Sequence, residues 1–413
     1  MKRFLITLFL LLTFHVSAET ILLKAGLVHS GNGEVAKIQD ILISDNVIVG
    51  VGNNLIIDGN TRVIEVNGLP VTPGLISPMS NLGIVEINAL DVTKDDESDI
   101  LSAGFSIFNA FNPHSTLIPW NRSNGVTSAI STPSGSSFPV FGLGSHFVLD
   151  GSLDIKGSKD IAMFGRLGAS YGSRAESLAI LESLLEIGRM LNSLAVEEIL
   201  EMSLSDQLEL QSQDIIALGK VVNDGMPFVL ETNRAVDILQ ALAMKKKFDL
   251  NLVLVSVEEA PMVLDKLKES NTPVIIDPMD NIPNSFDELG SSLSLGKILD
   301  QAGIPIMFST QRSHNYHLIR QGSGNAVAHG MTYETAIKGM TKTVAETFQL
   351  DNRGSIEAGK LADVIVWDGD PLEPASFPKI VMIEGKLQDL TSRSSKLTER
   401  YTNKEDKPSS YKH

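Results

Sequence analysis

The stretch GSIEAGKLADVIVWDGDP, residues 354–371, decides how the end of this chain folds. Its glycines fit tight turns, and the apolar run within it predicts a strand from Asp363 to Trp367. A further strand is predicted from Lys379 to Ile383. Residues 20–72 also consist of short strand-like runs separated by turn residues. The strands predicted there are Ile21 to Val28, Asp40 to Ser44, Asn46 to Val51 and Arg62 to Val66. Residues 19–72 and 353–390 are therefore predicted to form one small β-sandwich built from both chain ends.

Between these segments, residues 73–352 alternate apolar runs with amphipathic helices, a pattern typical of a parallel sheet made of βα units. The length suits an α/β fold of the (β/α)₈ barrel type, for which about 250 residues are typical. The clearest strand candidates are Val126 to Ser131, Pro227 to Glu231, Leu250 to Val255, Pro273 to Ile276 and Pro305 to Phe308. The helix candidates are Glu176 to Met202, Asp206 to Val222, Arg234 to Lys246, Glu258 to Lys268, Ser294 to Gln301 and Tyr333 to Phe348. In the helix from Arg234, the sheet-facing positions are predicted to be Val236, Leu239, Leu242 and Ala243.

The composition excludes several classes of function. The 413 residues include 34 Lys and Arg against 50 Asp and Glu, a formal charge of -16, which argues against a nucleic-acid-binding surface. Cysteine is absent, so disulfides, cysteine nucleophiles and thiolate metal ligands are excluded. Any bound metal must be held by nitrogen and oxygen atoms.

The first residues are typical of an export signal. Lys2 and Arg3 precede an apolar run from Phe4 to Phe14, and small residues at positions 16–18 predict cleavage after Ala18. The alternative is an uncleaved anchor, although the run is shorter than the roughly 20 residues that a membrane span needs. We therefore expect an exported protein, in a bacterial periplasm, with no membrane span after cleavage of residues 1–18. At the other end, the polar residues 391–413 are predicted to form a disordered tail.

Two stretches resemble the amidohydrolase superfamily, and most closely its imidazolonepropionase-like branch. They are VTPGLI, residues 71–76, and the stretch of residues 354–371 quoted above; GMT, residues 339–341, supports them. The similarity covers about residues 20 to 390. It implies a (β/α)₈ barrel joined to a β-sandwich, and hydrolysis of non-peptide C–N bonds, as in cyclic amides, with zinc or another divalent metal. These motifs serve turns and strand packing, so they identify the fold and not the chemistry.

The first metal-binding position of the family is altered in this sequence. The resemblance implies two histidines, one residue apart, at the end of the first barrel strand, where alternate side chains can converge on one ion. This chain has Met79 and Asn81 at those positions. A thioether and a neutral amide are poor zinc ligands, so the pair cannot replace two histidines.

Three later positions are altered as well. Glu231 occupies the place of a ligand histidine after a mid-barrel strand, and the next strand ends in residues 257–259 without a histidine. The last strand is followed by Gln311 where the family has an aspartate, and an amide cannot accept a proton. A carboxylate such as Glu231 is either functional or paired with a cation, for which Arg174 and Arg234 are candidates.

Other side chains could replace the lost ligands. Asp277 and Asp280 follow a barrel strand and either face the pocket or form a turn. His314 and His317 follow the last strand at a spacing that would place them on one helical face, near the end of the barrel that carries active sites. The candidate pocket residues are therefore Glu231, Asp277, Gln311, His314 and His317.

These observations leave two functions open. The first is a catalytically impaired member of the family that binds a small molecule at the barrel mouth, with no metal cofactor. The alternative is an active hydrolase of non-peptide C–N bonds with relocated ligands. A scaffold role in an exported assembly is a third reading, and assembly into homo-oligomers through barrel faces also stays open.

Overall fold

The computed structural model describes residues 19–135, 139–168, 172–190, 210–310 and 312–402. The predicted signal peptide therefore lies outside the described residues, as do Gln311 and residues 403–413. Across the described part of the chain, no helix is long and apolar enough to cross a membrane.

The two chain ends meet in one eight-stranded sheet. Its strands are β1 (Thr20–Val28), β2 (Lys37–Ser44), β3 (Val47–Gly52), β4 (Arg62–Glu65), β5 (Pro70–Pro73), β14 (Val364–Trp367), β15 (Pro378–Ile383) and β16 (Lys386–Leu387). Antiparallel pairing of β14 with β5 joins the two ends, with Ile365 opposite Thr72. Apolar side chains from both ends, among them Val71 and Val364, share one buried core. Both chain ends thus contribute strands to the same sheet.

A second eight-stranded sheet forms a nearly closed barrel. Its strands are β6 (Leu75–Ser80), β7 (Val126–Ser131), β8 (Val140–Val148), β9 (Gly157–Arg166), β10 (Phe228–Thr232), β11 (Leu252–Ser256), β12 (Val274–Ile276) and β13 (Ile306–Phe308). Neighbouring strands are parallel except that β8 runs antiparallel to both β7 and β9. The predicted α/β barrel is confirmed, with this one reversed strand.

The sequence does not predict strands β8 and β9. Both contain glycine, which normally disfavours strands. Here the glycines of β8 allow close packing. A Cβ atom on Gly142 would lie 2.5 Å from the carbonyl oxygen of Phe105, and one on Gly144 would lie 2.4 Å from the ring of Phe164. The glycines that make β8 hard to recognise in the sequence therefore allow it to pack in the barrel.

Helices surround the barrel. They are α1 (Leu117–Ser123), α2 (Arg174–Met190), α3 (Ser212–Asn223), α4 (Ala235–Phe248), α5 (Leu264–Glu269), α6 (Leu295–Ala302), α7 (Ile319–Ala328), α8 (Tyr333–Gly339), α9 (Lys342–Thr347) and α10 (Arg393–Thr402). The single helix predicted from Tyr333 is two helices, because the backbone leaves the helical region at Thr341 (φ -136°, ψ -93°). The second half of the helix predicted from Glu176 lies outside the described residues.

Two further expectations were wrong. The buried face of α4 is not the predicted one, because Ile238, Ala241, Met244 and Phe248 form a second apolar stripe that includes a large aromatic side chain, while Val236 is 54% exposed. The predicted disordered tail is helical in its first part, where α10 contacts α1 but has no buried residue. Repeated hydrogen bonds from threonine hydroxyls to the preceding turn accompany this helix.

The two stretches that carried the family resemblance lie at the junction of the two sheets. A Cβ atom on Gly74 would lie 2.1 Å from the Thr127 hydroxyl of β7, which explains the glycine in VTPGLI. After the barrel, the buried Arg353 pairs with Asp363, which precedes β14, and with Glu384, which follows β15. Arg353 thereby ties the segment after α9 to the sheet made from the chain ends.

The lower part of the barrel is filled. Apolar side chains from successive strands pack in its interior, among them Ile130, Phe164, Val229, Val253 and Met307. Phe348 and Leu350, which follow α9, belong to the same core. Space inside the barrel is therefore found at the carboxyl ends of the strands, where side chains become polar.

Candidate functional site

A cavity of about 720 Å³ lies at the carboxyl ends of the barrel strands. Its walls come from strand ends and from the loops that follow them. The lining residues that carry functional groups are Asn81, Arg166, Glu231, Asn233, Glu258, Asp277, Asp280, Asp287, Glu288 and Tyr316. Active sites of barrel enzymes occupy this end. We therefore treat this cavity as the candidate site.

Met79, near the end of β6, and Asn81, directly after this strand, both line the cavity. Both ends of the Asn81 amide are already engaged. Its nitrogen donates to a carboxylate oxygen of Asp96 at 2.9 Å, and its oxygen accepts from the hydroxyl of Tyr316 at 3.2 Å. Burial raises the pKa of Tyr316 to about 12, so this hydroxyl keeps its proton and continues to donate. Asn81 thus acts as a link between two buried polar groups.

Asp96 extends this chain of hydrogen bonds to the loop after β7. The Ser134 hydroxyl donates to the same Asp96 oxygen that accepts from Asn81, at 2.9 Å. Burial raises the pKa of Asp96, while the bond from Ser134 opposes that rise. Asp96 Oδ2 therefore accepts from both Asn81 and Ser134, while the buried Oδ1 atom has no hydrogen-bond partner among the described residues.

Glu231 lines the cavity at the end of β10 and is paired with a cation. The Nε atom of Arg166 donates to Glu231 Oε2 at 2.8 Å, and the two residues stand opposite each other in the register of β9 and β10. The proposed partners Arg174 and Arg234 were the wrong arginines. Each lies 3.7 Å from Asp237 instead. The correct partner sits on β9, one of the two strands that the sequence did not reveal.

Asp277 also lines the cavity and is engaged twice. Its Oδ1 atom accepts from the backbone N–H of Met279 at 3.0 Å, which is the turn that its sequence context predicted. Its Oδ2 atom lies 3.2 Å from a guanidinium nitrogen of Arg312. Asp280 is nearby, and burial, followed by the charge of Asp277, raises its pKa. Asp277 thus stabilises a turn and also lines the cavity.

The histidine pair does not line the cavity, and the expected common helical face is wrong. His314 has a left-handed backbone (φ 74°), while His317 lies in a separate helical turn. His317 packs edge-on against Trp120 and lies 3.2 Å from Asn121. Burial lowers the pKa of His317 to about 4, so its ring is neutral at pH 7. Its role in this structure is packing between the last loop and α1.

Glu258 is among the cavity residues that the sequence pattern did not single out. Burial raises its pKa to about 7, and the charges of Glu288, Glu231 and Asp280 add to that rise. Its Oε2 atom is buried and has no hydrogen-bond partner among the described residues. The signal was available, because Glu258 follows a barrel strand just as Glu231 does.

The backbone before Glu258 is strained. Ser256 and Val257 both have left-handed conformations (φ 75° and 56°), which are rare for a β-branched residue. Val257 is held there because its N–H donates to the carbonyl of Thr232 at 3.0 Å and its own carbonyl accepts from Ala260 at 2.8 Å. Strain of this kind clusters at functional sites. The left-handed backbone at Ser256 and Val257 places Glu258 in the wall of the cavity.

The donors at the family's metal positions do not form a ligand set in the described residues. Within those ranges, no three His, Asp or Glu side chains come together in a way that could hold a metal ion. Asn81 is held by Asp96 and Tyr316, and the carboxylates of Glu231 and Asp277 are paired with arginines. Gln311 lies outside the described residues.

Comparison with known proteins identifies related sequences and structures. A model of the Amidohydrolase family matches residues 191–391. Amidohydrolase tasK of Hapsidospora irregularis is 30% identical over 130 residues, which are 31% of this chain, and the match spans 13% of the length of that relative. An amidohydrolase structure from Thermotoga maritima MSB8 superposes with a TM-score of 0.77 at 23% identity and covers 89% of this chain and 99% of that chain. A molinate hydrolase structure gives a TM-score of 0.56 at 17% identity and covers 91% of this chain and 95% of that one.

Proposed function

Because this chain belongs to the amidohydrolase superfamily of hydrolases, we propose that it is an exported, catalytically impaired member that binds a small molecule at the barrel mouth without a catalytic metal. The observation that carries this proposal is the pairing of Arg166 with Glu231 and of Arg312 with Asp277. Two guanidinium groups thus neutralise Glu231, which occupies a ligand position of the family, and Asp277, the strand-end carboxylate that could have replaced a lost ligand. Asn81, at the second position of the former histidine pair, is committed to other protein groups.

Guanidinium groups are effective competitors for these carboxylates. A charge-assisted hydrogen bond is about twice as strong as a neutral one, and an arginine cannot be deprotonated to release its partner. A divalent ion would have to displace both arginines and leave two cations beside it. The donor set therefore favours a protein-only arrangement over a metal centre.

The energetic consequence for hydrolysis is large. A zinc-bound water has a pKa near 7 instead of about 15.7, so the loss of zinc forfeits up to roughly 11 kcal/mol in the availability of hydroxide. A general base such as Glu258 contributes about 10² to 10⁴-fold, or roughly 3 to 5 kcal/mol. The remaining groups cannot close that gap, so the hydrolytic route of the family is disfavoured.

The cavity itself is suited to a ligand. Small-molecule sites have volumes of about 300 to 1,000 Å³, and the volume of about 720 Å³ lies within this range. The filled barrel core below it gives a fixed floor. Ligand binding thus requires no group that the site lacks, whereas hydrolysis by the family's route requires a metal ion.

Metal content and turnover of the purified chain, beginning at Glu19, test this proposal together. We expect well below one zinc, iron or manganese ion per chain by inductively coupled plasma mass spectrometry, and no turnover of an amide and lactam panel with or without added divalent metal. The Arg166→Gln/Arg312→Gln double variant is the matched comparison, since it frees both carboxylates; it should gain manganese affinity in a titration. A tightly held ion in the wild type together with chelator-sensitive turnover would establish the alternative, an active hydrolase of non-peptide C–N bonds.

Export is tested separately. We expect the processed protein to begin at Glu19 and to be released with the periplasmic fraction when it is expressed in a Gram-negative host. A full-length chain that stays with the membrane fraction would support the uncleaved anchor instead.

A further inference from the structure

We propose that the ligand of the barrel-mouth cavity is a small organic cation with an apolar part, such as a primary amine that carries a phenyl or alkyl group. This inference rests on the proposed binding function and gives that function a ligand class. Three features carry it: the charge balance of the cavity wall, the further acidic residues that the loop after β6 adds at the rim, and the apolar side chains that the rim loops expose.

The cavity wall has an excess of carboxylates. Six acidic residues line it, and Arg166 is the one Lys or Arg among the described lining residues. Three of the carboxylates are neutralised by arginines, in the pairs of Arg166 with Glu231, Arg312 with Asp277 and Arg174 with Asp287. The other three have no ion-pair partner within the described ranges, and they are Glu258, Asp280 and Glu288. A cation would complete the charge balance of this wall.

Two of these carboxylates are positioned by their surroundings. Glu288 is fixed by the backbone N–H of Asn284 at 2.8 Å and by the hydroxyl of Ser285 at 3.2 Å. Glu258 presents a buried oxygen that no protein group of the described chain satisfies. An unsatisfied buried acceptor is costly, and an ammonium group has three N–H donors with which to meet it. The wall is therefore organised before a ligand arrives.

The rim loops extend the same charge outward. Residues 86–99, after β6, contain six acidic residues and one lysine, and residues 277–288, after β12, contain four acidic residues and no base. The whole chain has 50 acidic and 34 basic residues, so the acidic excess is concentrated at these loops. Asn88 donates to Ser313 of the cavity wall at 2.7 Å, which ties the first loop to the mouth. Such a field raises the local concentration of cations and repels anions.

The same loops expose large apolar side chains. On the second loop, Phe286 is 87% exposed and Ile282 and Leu289 are also exposed; on the first loop, Ile87 and Leu90 are exposed. Phe286 and Leu289 flank the cavity-lining residues Asp287 and Glu288 along the chain. Apolar groups gathered beside a concave site mark a binding surface for an apolar part of the partner. A ligand that combines a cationic group with an apolar group matches both.

The charges of the cavity wall also distinguish this ligand from other classes. A carboxylate or phosphate compound would face three unneutralised carboxylates, with each described guanidinium of the wall already paired. A bare divalent ion lacks a group of three ligands in the described chain and would not use the apolar rim. The organic cation is therefore the class to test.

Three probes of nearly equal size test the charge requirement. We expect 2-phenylethylamine to bind at least tenfold more tightly than 2-phenylethanol in isothermal titration calorimetry at pH 8, and phenylacetate to bind more weakly than both. Asp280→Asn and Glu288→Gln should each weaken the amine at least threefold and leave the alcohol unchanged. Glu65→Gln, an exposed carboxylate on β4, is the matched control and should change none of the three affinities.

A second pair of variants tests the apolar part. Phe286→Ala should weaken the binding of 2-phenylethylamine at least threefold but leave the binding of ethylamine unchanged. Ile56→Ala, at a similarly exposed position outside the two rim loops, should change neither affinity. If the alcohol or phenylacetate binds as well as the amine, or if none of the probes binds, the ligand class is wrong. That result would leave the metal analysis untouched, so failure of this inference and failure of the proposed function are separately visible.

Discussion

Replacement of Glu258 by glutamine tests the electrostatics of the cavity. Glutamine has nearly the same shape but cannot ionise, so Glu258→Gln removes the cost of placing a charge in this wall. Burial, reinforced by Glu288, Glu231 and Asp280, raises the pKa of Glu258 to about 7. The unfolded chain has no such surroundings, and there its pKa is near the ordinary value for glutamate of about 4.3.

The sign of the effect follows from proton binding. Between about pH 4.5 and pH 7 the folded protein holds a proton on Glu258 that the unfolded chain has lost, so the stability of the wild type falls as the pH rises through this window. Since each pKa unit is worth about 1.4 kcal/mol, the full penalty is about 4 kcal/mol above pH 7. Partial solvent access to the side chain reduces it, and we expect Glu258→Gln to stabilise the protein by about 1 to 3 kcal/mol at pH 8 relative to its effect at pH 4.5.

Urea unfolding at the two pH values, followed by circular dichroism, measures this difference directly. Glu65→Gln is the control, because this carboxylate is half-exposed on β4 and far from the cavity. Its effect should be within a few tenths of a kcal/mol at both pH values. Equal destabilisation by Glu258→Gln at pH 4.5 and pH 8 would show that the folded protein does not raise the pKa of Glu258.

Four further changes have defined outcomes. The affinity of 2-phenylethylamine should rise as the pH increases from 6 to 8, because a cation favours the ionised form of Glu258, and titration calorimetry in buffers of different ionisation enthalpy should detect proton release near pH 7. Asn81→Asp adds a carboxylate beside a buried carboxylate and should lower the free energy of unfolding at pH 8 by about 2 kcal/mol or more in urea, and by less at pH 4. Arg353→Met leaves the buried Asp363 unpaired and should cost about 3 to 5 kcal/mol, seen as a large drop in the unfolding midpoint. Gly74→Ala forces a methyl group against a hydroxyl 2.1 Å away and should cost about 1 to 3 kcal/mol in the same assay.

The sequence predicts the architecture well because its apolar patterns are strong. The five strand candidates of the barrel match observed strands to within about two residues at each end. The two missed strands contain features that usually argue against strands: glycines at positions 142 and 144, and a polar beginning from Gly157 to Asp160. Tertiary packing against Phe105 and Phe164 overrides that local preference, and a single sequence does not display it.

The site was predictable in position but not in its partners. Met79, Asn81 and Glu231 line the cavity because strand ends in a barrel converge on one face. The pairing of Glu231 with Arg166 depends on the register of two neighbouring strands, one of which was not recognised. His314 was misplaced because a left-handed backbone at that residue breaks the helical spacing.

The central claim is that protein groups, and not a metal ion, organise this barrel mouth. Anomalous X-ray diffraction from crystals of the processed protein grown with zinc or manganese tests it most directly. We predict no anomalous peak in the cavity, with Arg166 and Arg312 still bound to Glu231 and Asp277. A fully occupied peak among Met79, Asn81, Glu231 and Gln311 would contradict the claim.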